Sequence, residues 1–233
     1  MKRLIIASTS TVHGSGYLEY LLPTLSMFFR GVQTILFIPY ARPGGISYDD
    51  YTAIARTAFS KINIDVKGIH ELTNPKEAIQ NAEAIFTGGG NTFELVNQLY
   101  KNDVISDLNK VINNGTRYLG TSAGSNICGV TMMNTNDMPI VYPPSFETLG
   151  CIPFNINAHY IDPIDGTTHM GETRETRIKE YHIFNSTSVL GLREGSWLEV
   201  NNKSIVLKGN LTARLFQQHK EAVELESEKE IIV

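Results

Sequence analysis

The 233-residue sequence has only two cysteines, Cys128 and Cys151, far apart and with no CxxC spacing. That excludes a disulfide framework and suggests no thiolate zinc site, so both are expected as buried thiols and no metal is expected. Basic residues are not in excess either: 20 stand against 24 acidic ones, for a formal net charge of −4. Nothing is left over to neutralise a phosphate backbone or an anionic bilayer, so neither nucleic acid nor membrane is an expected partner. No apolar run approaches the roughly 20 residues of a membrane span. Met1-Lys2-Arg3 is followed by only Leu4-Ile5-Ile6-Ala7, too short for a signal-peptide core, and a cytoplasmic location is expected. Repeats, low-complexity tracts and a Gly/Ser/Pro-rich linker are also missing, so the chain reads as a single domain over residues 1–233.

What is present is an alternation of short apolar runs with helical patterns. Leu4–Ala7, Ile35–Ile38, Ile62–Ile64 and Ile85–Phe86 read as strands, and Tyr17–Phe29 and Tyr48–Phe59 as helices between them. This is the signature of βα units around a mostly parallel central sheet flanked by helices, an α/β fold. The clearest helix opens after Asp103, which suits an N-cap, and carries Val104, Ile105, Leu108, Val111 and Ile112 on one stripe before stopping at Asn113-Asn114-Gly115. Arg117–Gly120 then reads as a strand, and Trp197–Val200 and Ser204–Leu207 as further short strands.

Gly120-Thr121-Ser122-Ala123-Gly124 fits G-x-S-x-G between a predicted strand and a small-residue helix start. A turn this tight projects the central hydroxyl beyond the sheet, which makes Ser122 a candidate nucleophile; the bland alternative is a solvated serine in a glycine-rich turn. Gly88-Gly89-Gly90-Asn91-Thr92 lies between the strand Ile85–Thr87 and the helix Phe93–Tyr100. It fits neither a Walker loop nor G-x-G-x-x-G, but its N–H groups suit an anion. Paired with a nucleophile, the Gly89 N–H and that of Ala123 would form an oxyanion hole.

A serine nucleophile needs a base, and of His13, His70, His159, His169, His182 and His219 only His159 follows a predicted strand into a loop. The acid that orients it could be Glu194, in the turn Gly191–Gly195, or Asp137, in Asn136-Asp137-Met138-Pro139. Spacing does not choose between the two, and either could be a solvated turn carboxylate. Arg174 shares a helical stripe with Ile178 and Tyr181, which directs it inward. An inward guanidinium needs an anion, either a substrate carboxylate or an internal partner such as Glu172 or Glu175.

Several segments together resemble the peptidase E family of serine exopeptidases, the aspartyl dipeptidases. They are Gly88–Phe93, Ser122-Ala123-Gly124, Thr135–Val141, Ile156-Asn157-x-His159, Gly171–Glu175, and Glu194-Gly195 followed by Trp197. With Ile38-Pro39 and Asp49–Thr52 they run in family order over most of the chain. The resemblance implies a fold similar to the class I glutamine amidotransferases and no cofactor. It also implies cleavage after an N-terminal aspartate in short peptides, with Ser122 as nucleophile and His159 as base. Asp137 and Glu194 both match acidic positions tied to the family's charge relay, and Arg174 matches its binder of the substrate aspartate.

The chain departs from that pattern in three places: Tyr142 stands where an acid is expected, Thr121 where a bulky aromatic is usual, and Arg193 where proline is familiar. Thr121 is more like the related cyanophycinases, which makes a hydrolase of β-aspartyl peptides the alternative enzyme. A non-catalytic binder of acidic peptides would keep Arg174 and the glycine nest without a working triad.

Overall fold

A computed structural model describes residues 1–163 and 171–232, so His169 lies outside the described residues. The strands are β1 (Arg3–Ala7), β2 (Thr34–Ile38), β3 (Asp65–Gly68), β4 (Ala84–Thr87), β5 (Arg117–Thr121), β6 (Asn155–Ala158), β7 (Val189–Leu192), β8 (Trp197–Asn201), β9 (Ser204–Lys208), β10 (Ala213–Phe216) and β11 (Val223–Leu225). The helices are α1 (Leu22–Phe28), α2 (Tyr48–Ser60), α3 (Pro75–Gln80), α4 (Thr92–Lys101), α5 (Ile105–Asn114), α6 (Ala123–Asn126) and α7 (Arg174–Phe184).

Among the described residues the main sheet has seven strands in the order β3-β2-β4-β5-β1-β8-β9. From β3 to β1 every pairing is parallel, and β8 and β9 add an antiparallel edge beyond β1. This is the mostly parallel α/β architecture that the βα alternation implies. Side chains alternate across the sheet. Ile5 and Ala7 of β1 face Leu25, Phe29 and Phe59 on one side, while Leu4 and Ile6 join Leu95, Leu99, Leu108 and Ile112 on the other. A second sheet, β11-β10-β7-β6, packs on that latter side, since Leu190 and Leu192 of β7 belong to the same core.

Several local expectations hold. In α5, Leu108 and Ile112 are buried, Val104 is buried just ahead of it, and Gly115 ends the helix at φ 117°. Cys128 and Cys151 are both buried thiols.

Other expectations change. Asp103 does not cap α5: its own backbone is left-handed, its carboxylate pairs with Lys76, and the N-cap is Val104, without a side-chain bond. The Ile62–Ile64 run closes the end of α2 instead of forming a strand, with both N–H groups bonded to Phe59 and Asn63 at φ 58°, so β3 starts at Asp65. The Tyr17–Phe29 helix divides into a 3₁₀ turn, Glu19–Leu21, and α1, because Pro23 lacks the N–H needed inside a continuous helix.

Candidate active site

The C-terminal ends of β1, β4 and β5 meet at one point, where open α/β sheets present functional groups. Ser122 follows β5 directly, with φ 53° and ψ −111°, a conformation that costs a non-glycine residue about 1–3 kcal/mol. Local bonds hold it there: its N–H donates to the Ala7 carbonyl at 3.1 Å, and Ser125 and Asn126 N–H groups donate to its carbonyl, each at 2.9 Å. The flanking glycines are steric requirements. A Cβ on Gly120 would come 2.3 Å from the Gly124 carbonyl oxygen, and one on Gly124 would come 2.1 Å from that of Thr87.

His159 leaves the end of β6 with φ 55°, and its N–H donates to Ser8 Oγ at 2.9 Å. Ser8, one residue past β1, donates its hydroxyl to the Leu192 carbonyl at 2.7 Å, so a single hydroxyl ties both sheets together at the site. The imidazole Nε2 lies 2.8 Å from Ser122 Oγ, and Nδ1 lies 2.5 Å from Glu194 Oε1. Glu194 sits in the turn from β7 to β8, closed by Ser196 N–H on the Arg193 carbonyl at 3.1 Å. The structure thus brings Ser122, His159 and Glu194 into one hydrogen-bonded run.

Asp137 is not part of that run. Its Oδ2 accepts the Thr92 N–H at 2.7 Å and the Thr135 hydroxyl at 2.8 Å, which places the carboxylate on the N-terminus of α4. The structure therefore does not bring Asp137 to His159, and the physical reason is the Thr92 N–H at the start of α4, which the Asn91 cap, engaged with the Glu94 N–H at 3.1 Å, leaves to the Asp137 carboxylate. Three N–H groups of the expected anion nest are thus taken within the chain: Gly88 donates to the Ile38 carbonyl at 3.2 Å, Asn91 to that of Ala41 at 2.8 Å, and Thr92 to Asp137. The two expected oxyanion donors are unengaged among the described residues: neither Gly89 nor Ala123 donates its N–H to another described residue. A Cβ on Gly89 would stand 3.0 Å from the Ser122 Cβ and 3.5 Å from its Oγ, so this backbone and the hydroxyl adjoin.

Arg174 is the first residue of α7, where the helix dipole disfavours a cation. Both internal partners considered for it are engaged elsewhere, Glu172 with Arg177 at 3.6 Å and Glu175 with Lys179 at 2.7 Å and Arg214 at 3.1 Å. Burial and nearby Arg177 push the Arg174 pKa down, while the charge of Asp137 favours the cation. Ile178, one turn on, is buried as the stripe predicts.

Asp49, His70 and Glu71 could by proximity hold a cation among the described residues. Glu71, however, is engaged by Arg56 at 3.3 Å and by the Gly68 N–H at 2.9 Å, so the group reads as an ion-pair cluster.

A strained strand-to-helix serine, hydrogen-bonded to an imidazole that is bonded in turn to a carboxylate, is the geometry of acyl-transfer hydrolases on several folds. The chain matches the model of peptidase family S51 over residues 4–208. It belongs to that family. Peptidase E of Streptomyces coelicolor is 47% identical over 215 residues, 92% of this chain and 87% of the relative. A Drosophila melanogaster protein named "Probable alpha-aspartyl dipeptidase" is 42% identical over 219 residues, 93% of this chain and 90% of the relative. Among solved structures, a peptidase from an acI-B1 actinobacterium superposes with a TM-score of 0.72 at 15% identity, covering 99% of this chain and 96% of the other. That likeness carries the fold, the glutamine amidotransferase-like α/β arrangement expected from the family resemblance. No helix among the described residues is long and apolar enough to cross a membrane.

Sequence reasoning overlooked Ser8 and the asparagines around His159. Asn136 donates to the Ala158 carbonyl at 2.8 Å, and Asn157 to that of Asn134 at 2.7 Å. For Ser8 a usable signal existed: it is the first polar residue after a buried strand whose parallel neighbour runs into the Ser122 turn.

Proposed function

We propose that this protein is a serine dipeptidase that hydrolyses the bond after an N-terminal aspartate in dipeptides and short peptides. The observation that carries this reading is the run from Ser122 Oγ through His159 to Glu194, at 2.8 and 2.5 Å. It is supported by membership of a peptidase family and by relatives whose names include alpha-aspartyl dipeptidase.

In this mechanism His159 Nε2 takes the Ser122 proton as Oγ attacks the scissile carbonyl, and Glu194 fixes the tautomer through Nδ1 and stabilises the imidazolium. The Gly89 and Ala123 N–H groups receive the developing oxyanion. His159 then returns the proton to the leaving amine; in the second half it takes a proton from water, which attacks the acyl ester, and gives it to Ser122 Oγ as the acid leaves. Arg174 takes the side-chain carboxylate of the acyl residue by a bidentate contact. The reading includes a cytoplasmic location, in keeping with two cysteines left as thiols; cell fractionation checks it.

The experiment is a comparison of Asp-Leu, Leu-Asp and a β-aspartyl dipeptide with wild type and Ser122→Ala. Asp-Leu should be the preferred substrate, and the variant should fold normally and lose turnover, because the hydroxyl supplies the covalent chemistry and little packing. Preference for the β-linked peptide would turn the reading toward a cyanophycinase-like hydrolase. Binding of all three without cleavage of any would turn it toward a peptide-binding relative.

A further inference from the structure

We infer that Arg42 forms a subsite for the free carboxylate of the leaving residue, the amino acid on the amine side of the scissile bond; this rests on the peptidase reading above. Arg42 follows β2, the strand next to β4, and its neighbour Ala41 is built into the glycine loop. The Ala41 carbonyl accepts the Asn91 N–H at 2.8 Å, and a Cβ on Gly90 would lie 2.2 Å from that same oxygen. The Arg42 guanidinium stacks 4.9 Å from the ring centre of Tyr51, which is buried and donates its hydroxyl to the Gly89 carbonyl at 3.2 Å. One aromatic ring therefore separates the cation from the loop that supplies the oxyanion donor.

Among the described residues this cation has no carboxylate partner. The arginines that form ion pairs are Arg56, Arg177, Arg193 and Arg214. The nearest acids in sequence are turned elsewhere, Asp49 to His70 at 3.0 Å and Asp50 to the Ser47 hydroxyl at 2.7 Å. Arg42 Nε is buried without a hydrogen-bond acceptor. Burying a guanidinium N–H unpaired is unfavourable, and a carboxylate oxygen supplies both the acceptor and the countercharge that this cation lacks. Tyr51 contributes a stacking face but no negative charge that could fill that role.

The position on the sheet selects which anion. Tyr51 and its bonded neighbour Tyr17 belong to the core on the α1 and α2 face. Asp137 caps α4, whose apolar side lies in the core on the opposite face, and Arg174 opens the helix that packs through Ile178 onto β7 and β10. With Ser122 at the strand ends between them, an acyl residue held by Arg174 directs the leaving residue toward Arg42. In a dipeptide that residue ends in a carboxylate, which a guanidinium recognises by two parallel hydrogen bonds.

The test compares Asp-Leu with Asp-Leu-amide, which lacks the terminal charge, on wild type, Arg42→Met and Arg42→Lys. Wild type should favour the free acid by about tenfold or more. Arg42→Met should lower kcat/KM on Asp-Leu by roughly 30-fold, change the amide far less and erase the preference, and Arg42→Lys should restore part of it. Equal losses on both substrates, or a wild type indifferent to the terminal charge, would overturn the subsite while leaving the peptidase reading intact. Cleavage of neither substrate by wild type would overturn that reading and the subsite with it.

Discussion

Arg193 grips Asp162 through two parallel hydrogen bonds, Nε to Oδ2 at 2.8 Å and Nη2 to Oδ1 at 2.7 Å. The same guanidinium reaches Glu224 at 3.0 and 3.1 Å and the Thr212 carbonyl at 2.9 Å, and its side chain is only 15% exposed. Asp162 lies three residues beyond His159 and Arg193 immediately precedes Glu194, so one cation joins the loops that carry the imidazole and its carboxylate. Proline could stiffen this position but could not make that link.

Loss of the link should loosen the His159–Glu194 contact. Arg193→Met is expected to lower kcat roughly tenfold or more with KM little changed. In a Glu194→Gln background the same substitution should cost much less, because Arg193 acts through Glu194. A double-mutant cycle on Asp-Leu measures this, and strictly additive losses would refute it.

Acid stability follows from the same cluster. The hydrogen bonds from Arg193 hold the Asp162 carboxyl below its ordinary range. Burial opposes ionisation of Glu224, but bonds from Arg193 and Thr212 bring its pKa down. A carboxyl depressed in the folded state stabilises fully above its unfolded value, about pH 4, and loses that contribution as pH falls through the folded value. The melting temperature of wild type should therefore exceed that of Arg193→Met at about pH 6, and the gap should close below about pH 4.

The two acids matched to the charge relay should separate cleanly. Glu194→Gln can favour the wrong imidazole tautomer and should lower kcat by about three orders of magnitude or more. Asp137→Asn weakens a helix cap, about 1 kcal/mol, and should lower the melting temperature by roughly 2–4 °C with less than about tenfold change in kcat. Steady-state kinetics and thermal melts on both variants decide between these roles. Comparable small kinetic losses would sink the triad.

For Arg174, the partner is tested by substrate charge. Arg174→Met should lower kcat/KM on Asp-Leu by roughly two orders of magnitude, corresponding to about 3 kcal/mol for a charge-assisted bidentate contact, and alter Asn-Leu little. Equal losses on both, with a lowered melting temperature, would make Arg174 a structural residue.

The Ser122 turn was legible because its requirements are local: Gly120 and Gly124 are required by contacts within the strand-to-helix turn and with the adjacent β4. The Gly115 stop and the buried face of α5 were legible for the same reason. The choice between Asp137 and Glu194 was not, since it depends on which strand ends the sheets bring to His159, a relation with no trace in spacing. Strands β10 and β11 escaped notice because they have four and three residues and β11 has no buried alternation. Asp103 misled because its side chain found Lys76 in α3, a partner 27 positions away in sequence.

The Ser8 hydroxyl has a consequence for how this molecule fails. It accepts from His159 and donates to Leu192, so the alignment of the imidazole with the Ser122 hydroxyl depends on one small side chain where two separately hydrogen-bonded layers touch. Slippage of those layers by an ångström would break the His159–Ser122 contact, and on the proposed mechanism the proton transfer, while leaving each ladder intact. Turnover is thus a finer gauge of interlayer registry than circular dichroism, and in a denaturant titration it should disappear while helical signal is still native.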